Sequence, residues 1–431
     1  MSCPLLPARA LIPDFEHCGR KLGAAPRGFD KMNSTMLRAA LVLGLLSAIG
    51  PFAIDMYLPA LPAIGVGLNA STAEVQASLM AFMVAIAACQ LFYGPISDMV
   101  GRKPPLYFGI ALFTLGAVGC ALAPSIEWLI AARFVQGVGA CAAMALPRAI
   151  VRDGYTGADA AQLQSLLMLV FSVSPILAPL AGSLMVQFGD WRTIFWAISI
   201  IGVLGLLLLA FFLKETRPAS ERLESSVGSA MRGYGVLLRD RNFLGLSLIG
   251  AFGISSFMAY LANSSFILID HYGLNPTLYS VMFSINAVSF IGVSQLTGVL
   301  TRRFGLSNVV RVSVSGFITV MVALAALFVL GVDQLPVLAV LLFVGYGFLG
   351  LVVPTTAVLA LENHGSIAGT ASALMGTLQM VTAAIVMGVV GAFFDGTAKP
   401  MVIGIAACAI IAFALTRLTM KSETGQPVAA E

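Results

Sequence analysis

Twelve apolar runs, each about as long as a bilayer is thick, leave this 431-residue chain little choice of fold. They fall at about 36–60, 74–96, 105–123, 127–148, 163–187, 191–213, 243–268, 277–300, 307–331, 335–361, 367–392 and 399–420. A hydrocarbon core of about 30 Å is crossed by roughly 20 helical residues. Charged residues make up only 10% of the chain against 59% hydrophobic, with a mean hydropathy of +0.95. Soluble domains carry about 25% charge. An open sheet edge cannot sit in lipid, so the predicted fold is an all-α polytopic membrane protein with twelve spans.

Basic residues orient such a protein, because lysine and arginine accumulate in loops on the inner face. With the amino terminus inside, every lysine and arginine except Arg133, Arg192 and Lys399 falls in an inner loop or tail. The net charge of +4 therefore concerns insertion, not nucleic acid. Both termini are expected to be cytoplasmic. Residues 1–35 lack the apolar core of a cleavable signal and read as a cytoplasmic tail, with Met32 or Met36 as an alternative natural start. A basic linker, 214–242, separates two bundles of six spans, 36–213 and 243–420, and a tail follows at 421–431. The linker holds Lys214, Glu215, Arg217, Glu221, Arg222, Glu224, Arg232, Arg239 and Arg241 and is expected to be partly helical at the membrane interface. Gly298 to Gly305 repeats the glycine, aliphatic and hydroxyl frame of Gly94 to Gly101, as two parallel repeats would.

Several chemistries are excluded. The cysteines at 3, 18, 89, 120, 141 and 408 have no metal spacing, and no cluster of them stands in an outer loop, so disulfides are not expected. His17, His271 and His364 have no matching ligands, which argues against a metal site. No phosphate-binding glycine loop is present, so ATP does not drive transport directly. No cofactor, external catalytic domain or selectivity filter is expected, which argues against an enzyme or a passive channel.

Charge inside a bilayer is expensive, so the exceptions are informative. Asp55 lies about five residues before the outer end of the first span, and Arg133 about six residues below the outer end of the fourth. At 1.5 Å per residue both sit roughly 8–10 Å below the surface. Opposite charges at one depth in one bundle predict an ion pair facing a central cavity, or a static pair locking the two helices. Burial and a neighbouring arginine act on such an acid in opposite directions, so water, substrate or a changed distance can switch its protonation. Pro59 and Pro62 break the helix beside Asp55 and free backbone carbonyls. Gln136 lies one turn from Arg133, and Gly137 and Gly139 allow close packing. Candidates for contact with a substrate in the cavity are Tyr57, Gln136, Tyr260, Asn263, Gln295 and Gln379. The amides are included because they seek a partner or water within a bilayer. Phe252, Phe257 and Ser264 on the seventh span, Asn286 on the eighth and Tyr346 on the tenth are further candidates, and Glu362 is a second candidate for taking up a proton.

Between the second and third spans runs Gly94-Pro-Ile-Ser-Asp98-Met-Val-Gly101-Arg102-Lys103. An acid, two bases and two glycines in so short a loop suit a gate in which Asp98 holds Arg102 in one state and releases it in another. The loop resembles the signature Gly-x-Leu-Ala-Asp-Arg-x-Gly-Arg-Lys of the major facilitator superfamily, with Met99 in place of an arginine. Arg133-Phe-Val-Gln136-Gly-Val-Gly-Ala140 resembles the fourth-helix motif of that superfamily's proton antiporters. Asp55-Met-Tyr-Leu-Pro-Ala-Leu-Pro62 is similar to the first-helix signature of its bicyclomycin and chloramphenicol resistance branch, the Bcr/CflA family. Pro175-Ile-Leu-Ala178-Pro179-Leu-Ala-Gly182-Ser183 resembles the antiporter motif Gly-Pro-x-x-Gly-Gly, with Ala178 and Ser183 at two glycine positions. Gly189 to Phe195 resembles the start of the sixth helix in the same branch.

The resemblance implies the facilitator fold and an exporter in the bacterial inner membrane that exchanges protons for drug-like molecules. It implies that Arg133 supports proton coupling with Asp55 as its acidic partner, and that Pro175 and Pro179 bend the fifth helix and keep the resting state from leaking. Small amphipathic molecules, protons and the bilayer are the expected partners, and a monomer is the expected state. The alternative is a proton-coupled facilitator for one metabolite such as an amino acid.

Overall fold

The computed structural model describes residues 34–155, 157–217, 227–362, 364 and 367–420. The expectations for the tails, including His17, Cys3 and Cys18, and for Glu221, Arg222 and Glu224 lie outside these residues. No strand occurs among the described residues, and twelve stretches are long and apolar enough to cross a membrane.

The first span is built from two helices, α1 (Ser34–Asp55) and α2 (Leu61–Leu68), joined through a 3-10 turn at Leu58–Ala60. The next five are α3 (Thr72–Val100), α4 (Lys103–Ala121), α5 (Ile126–Gly154), α6 (Gly157–Phe188) and α7 (Arg192–Phe212). A linker helix follows, α8 (Val227–Leu237). The second bundle begins with α9 (Arg241–Ser265), which runs on through a π turn at Phe266–His271. A kinked eighth span, α10 (Pro276–Ser294) and α11 (Thr297–Phe304), comes next. The last four are α12 (Leu306–Val329), α13 (Leu335–Glu362), α14 (Ala368–Ala392) and α15 (Lys399–Thr419).

Local sequence starts and stops these helices. Ser71 accepts from the Glu74 N–H while the Glu74 carboxylate takes the Ser71 N–H, a reciprocal cap on α3. Ser125, Asp240 and Asn275 cap α5, α9 and α10 through side-chain oxygens. Asn69 ends α2 in the left-handed region at φ 51°.

Packing repeats between the halves. In the first, α3 and α4 lie on α5, α4 on α7 and α1 on α6. In the second, α10 and α12 lie on α13, α12 on α15 and α9 on α14, the same partners six spans later. The glycine frame follows suit: Gly101 between α3 and α4 and Gly305 between α11 and α12 both take positive φ, 101° and 80°. The halves meet along α3 with α14 and along α6 with α10. By alternation of the spans, the chain ends and the linker share one face of the bundle, here the linker end. The linker helix α8 packs into the bundle, with the Tyr234 hydroxyl donating to the Leu91 carbonyl.

Helix α5 departs from expectation. The apolar run stops at 148, but the helix continues to Gly154. Arg148 thus lies inside the helix, six residues short of its end.

Candidate functional site

The break in the first span comes where the prolines place it. Met56 and Tyr57 leave the helix, and no backbone N–H in the break bonds the Ala53 carbonyl. Arg133 on α5 takes that carbonyl instead, with Nη1 3.2 Å away. The same Nη1 donates to Gln136 Oε1 at 2.7 Å, as the one-turn spacing predicts. The guanidinium lies over the Phe82 ring at 4.3 Å and the Tyr57 ring at 4.6 Å, with Phe195 at 6.0 Å. Arg133 is fully buried, and its Nε and Nη2 have no hydrogen-bond partner. Its charge is held mainly by aromatic faces, an attraction that strengthens when water is excluded. Tyr57 is itself pinned by a 2.6 Å hydrogen bond to Ser78.

The expected ion pair between Asp55 and Arg133 does not form: no nitrogen–oxygen approach within 4.0 Å joins them. Arg133 reaches the same level of the first span, but Asp55 turns away from it. Asp55 lies two residues beyond Ala53, about 200° further round the helix, and Arg133 occupies the Ala53 side. The Asp55 side chain is 5% exposed and has neither hydrogen-bond nor ion-pair partner among the described residues. The 3-10 turn just after it, Leu58–Ala60, packs on α9 and α10 of the opposite half. Asp55 therefore belongs to the seam between the halves.

That seam is closed by neutral hydrogen bonds at the end opposite the linker. Gln76 on α3 donates to Asn263 Oδ1 at 2.9 Å and to the Ala262 carbonyl at 3.3 Å on α9. Ser280 and Ser284 on α10 donate to the carbonyls of Pro179 and Ile176 on α6 at 2.8 and 3.2 Å. Gln187 donates to Thr277 at 3.0 Å. Gly182 permits the α6 approach to the broken span, for a Cβ there would lie 2.1 Å from the Met56 carbonyl oxygen. Gly137 and Gly139 serve as expected, each set against neighbouring backbone on α3 and α4. The α6 stretch of the sequence motif (Pro175, Ala178, Pro179, Gly182) thus faces both Asp55's segment and the other half.

The remaining candidates separate. Tyr260 is buried among Phe257, Phe283 and Tyr346, stacked on Phe283 at 5.8 Å, and its hydroxyl accepts from Asn286 at 3.0 Å. Asn263 is a fully buried pin across the seam. Gln379 is half-buried and approaches Gly250 on α9. Gln295 is exposed at the α10–α11 kink, where its amide bonds only local atoms.

At the linker end the charged loop is fully engaged. Arg102 is 1% exposed; its Nη1 meets Asp98 Oδ1 at 2.7 Å and Ser97 Oγ at 2.6 Å. Its Nε and Nη2 clasp Asp153, at the end of α5, at 2.6 and 3.1 Å. Glu215, just past α7, accepts from the backbone N–H groups of Arg102 and Lys103 at 2.9 and 3.1 Å. The Lys103 ammonium donates to the Leu213 carbonyl, and Arg217 reaches the Asp98 carbonyl at 2.9 Å. Partial burial works against the Glu215 carboxylate, but the N–H groups of Arg102, Arg217, Lys103 and Thr216 outweigh it and hold its pKa below the usual glutamate value. Gly101 makes the turn possible, and Gly94 faces open space. The equivalent loop of the second half has Arg302 where the first has Asp98 and Leu306 where it has Arg102, so it has no such clasp.

The sequence profile described as Major Facilitator Superfamily matches residues 43–387. The chain belongs to the major facilitator superfamily. It is similar to the uncharacterized MFS-type transporter YdgK of Bacillus subtilis (strain 168), 40% identical over 369 residues, 85% of this chain and 91% of YdgK. It is also similar to a bicyclomycin resistance protein homolog of Haemophilus influenzae, 31% identical over 388 residues, covering 89% of this chain and 97% of the homolog. The fold matches the crystal structure of a D-xylose-proton symporter with a TM-score of 0.70 at 16% identity, over 90% of this chain and 98% of that one. The branch resemblance and the twelve-span expectation both stand.

Sequence reasoning about this facilitator missed four groups at the site. Asp153 and Glu215 complete the clasp, yet they lie 51 and 113 residues from Arg102. The available signal was a charge immediately beside a helix end on the same face as the loop. Gln76 and Ser78, opposite Asn263 and Tyr57, carried only the weak signal of polar side chains inside an apolar run.

Proposed function

We propose that this facilitator exports amphipathic, drug-like molecules from bacterial cells in exchange for protons, with the linker end facing the cytoplasm of the inner membrane. One observation carries the reading: Asp55 is a buried carboxylate without a counter-charge, on a broken span, at the seam that must open for alternating access. An unpaired acid at such a seam exchanges its proton with whichever side water reaches it from. Arg133, fixed among rings one helix away, supplies a constant positive field at the break. The neutral bonds of the far end exchange for others as the halves rock, and the Arg102 clasp keeps the linker side of the first half rigid meanwhile. The likeness to a bicyclomycin resistance protein homolog supports a drug as cargo.

The test uses inside-out vesicles energised to a proton gradient. Chloramphenicol or another amphipathic antibiotic is added, and proton release is followed for the native chain and for Asp55→Asn. Release by the native chain alone is expected. No release with any member of a broad antibiotic panel overturns drug export and favours a metabolite as cargo. Equal release from both proteins removes Asp55 from the coupling.

A further inference from the structure

Helix α5 carries a further cation, Arg148, that neither the clasp nor the Asp55 site uses. Arg148 lies one turn before Arg152, so the two guanidinium groups share a helix face. Arg148 is surrounded by protein on nearly every side, yet its side chain is exposed. Arg148 is thus enclosed by the bundle without being sealed off from its surface. No hydrogen bond or ion pair holds it among the described residues. Arg152 extends across the seam: its Nη1 lies 3.5 Å from where a Cβ on Gly369 would sit, in the first turn of α14. Ile367, the residue capping α14, offers no side-chain acceptor to that turn.

Three sources of positive potential therefore meet at the linker end between the halves: Arg148, Arg152 and the uncapped start of α14. Like charges one turn apart repel, and a cation beside a helix start is unfavourable. Among the described residues no acid at this end pairs with either arginine, Asp159 and Glu362 included. Asp98 and Asp153 hold Arg102, and Asp240 lies 3.1 Å from His364. An arginine without a counter-charge in a bilayer protein is unfavourable, and an anion that completes the site relieves this.

We infer that Arg148, with Arg152 beside it, receives the anionic group of the transported molecule from the linker side, so that amphipathic carboxylates and zwitterions are preferred over neutral analogues. The inference rests on the export reading for its direction but not for the binding itself. A guanidinium presents a planar fork that matches a carboxylate, which an ammonium matches less well. Arg133, enclosed in rings with no solvent access, does not compete for this role.

The experiment measures fluorescence enhancement of dansylglycine and of its methyl ester on the full chain in nanodiscs of phosphatidylcholine alone. The acid is expected to bind on the order of tenfold more tightly than the ester. Arg148→Gln should abolish that preference by weakening the acid alone. Arg148→Lys should retain part of it, and Arg152→Gln should reduce it less, with all variants checked for native melting and elution. Equal affinity for acid and ester, or a preference that survives Arg148→Gln, overturns the inference. An anionic headgroup could fill the same site, so the titration is repeated with phosphatidylglycerol added. If that lipid raises the melting temperature through Arg148 while the acid shows no preference in either lipid, the site belongs to the lipid and the inference fails. A preference for the acid together with no antibiotic-driven proton release leaves this site standing and removes drug export. Proton release without the preference does the reverse.

Discussion

At the scale of single residues, Arg133 shows how a bilayer protein keeps a charge without an acid. Its guanidinium divides its donors between the Ala53 carbonyl and Gln136 and lays its faces on Phe82 and Tyr57. A lysine ammonium has donors for both acceptors but no plane to lay on two rings while it reaches them. Arg133→Lys is expected to fold but to slow antibiotic-driven proton release by at least about tenfold, as loss of one charge-assisted interaction of about 1.5–3 kcal/mol implies. A rate in vesicles equal to that of the native chain would show that charge alone suffices. That Arg133 and the end of α1 share one level was legible in the sequence, because rise per residue converts position into height. Their pairing was not. Which way Asp55 turns depends on how the span resumes after Met56, and that is settled by α6 pressing on the break at Gly182.

At the scale of elements, the spans were legible because hydropathy over a bilayer-length window is a strong signal. Their ends were less so. An arginine ends an apolar run on paper, whereas α5 continues past Arg148 to Gly154. The missing turn carries Arg152 and Asp153, and with them the clasp. Two predictions belong here. Gly182→Ala places a methyl group 2.1 Å from the Met56 oxygen and is expected to cost about 1–3 kcal/mol through overpacking, read as a lower melting temperature in detergent. Gly292→Ala, in a helix with nothing within 4 Å, is the control and should match or exceed the native melting temperature. The second concerns Glu215. Its carboxyl titrates below the ordinary glutamate value of about 4.3, so its stabilisation of the loop is present above that value and is lost as pH falls through its lower folded value. The native chain should therefore melt above Glu215→Gln near neutrality, with the gap closing in acid. A gap that widens on acidification would reverse the sign of this argument.

At the scale of the whole molecule, the two halves share a packing plan but not an electrostatic one. The clasp around Arg102 is built from the first half and the start of the linker among the described residues, and the second-half loop has an arginine and a leucine at the key places. This asymmetry was visible in the sequence as soon as the two glycine frames were aligned. The seam was not, since no pattern within one span says which span of the other half it will meet. Cysteines at 76 and 263, in a chain whose native cysteines are replaced by serine, are expected to join under a short bifunctional thiol reagent. That link should hold the far end shut and stop transport, and a reagent cleavable by reduction should restore it. Transport that continues under full cross-linking would mean that this end need not open.

The α6–α10 side of the seam has one further property. Its hydrogen bonds run from the hydroxyls of Ser280 and Ser284 to main-chain carbonyls of Pro179 and Ile176. A main-chain acceptor survives any change of side chain. A saturation library should therefore tolerate replacement of Ile176 widely while penalising Ser280 and Ser284, so that the genetic record of this contact is written on one helix only.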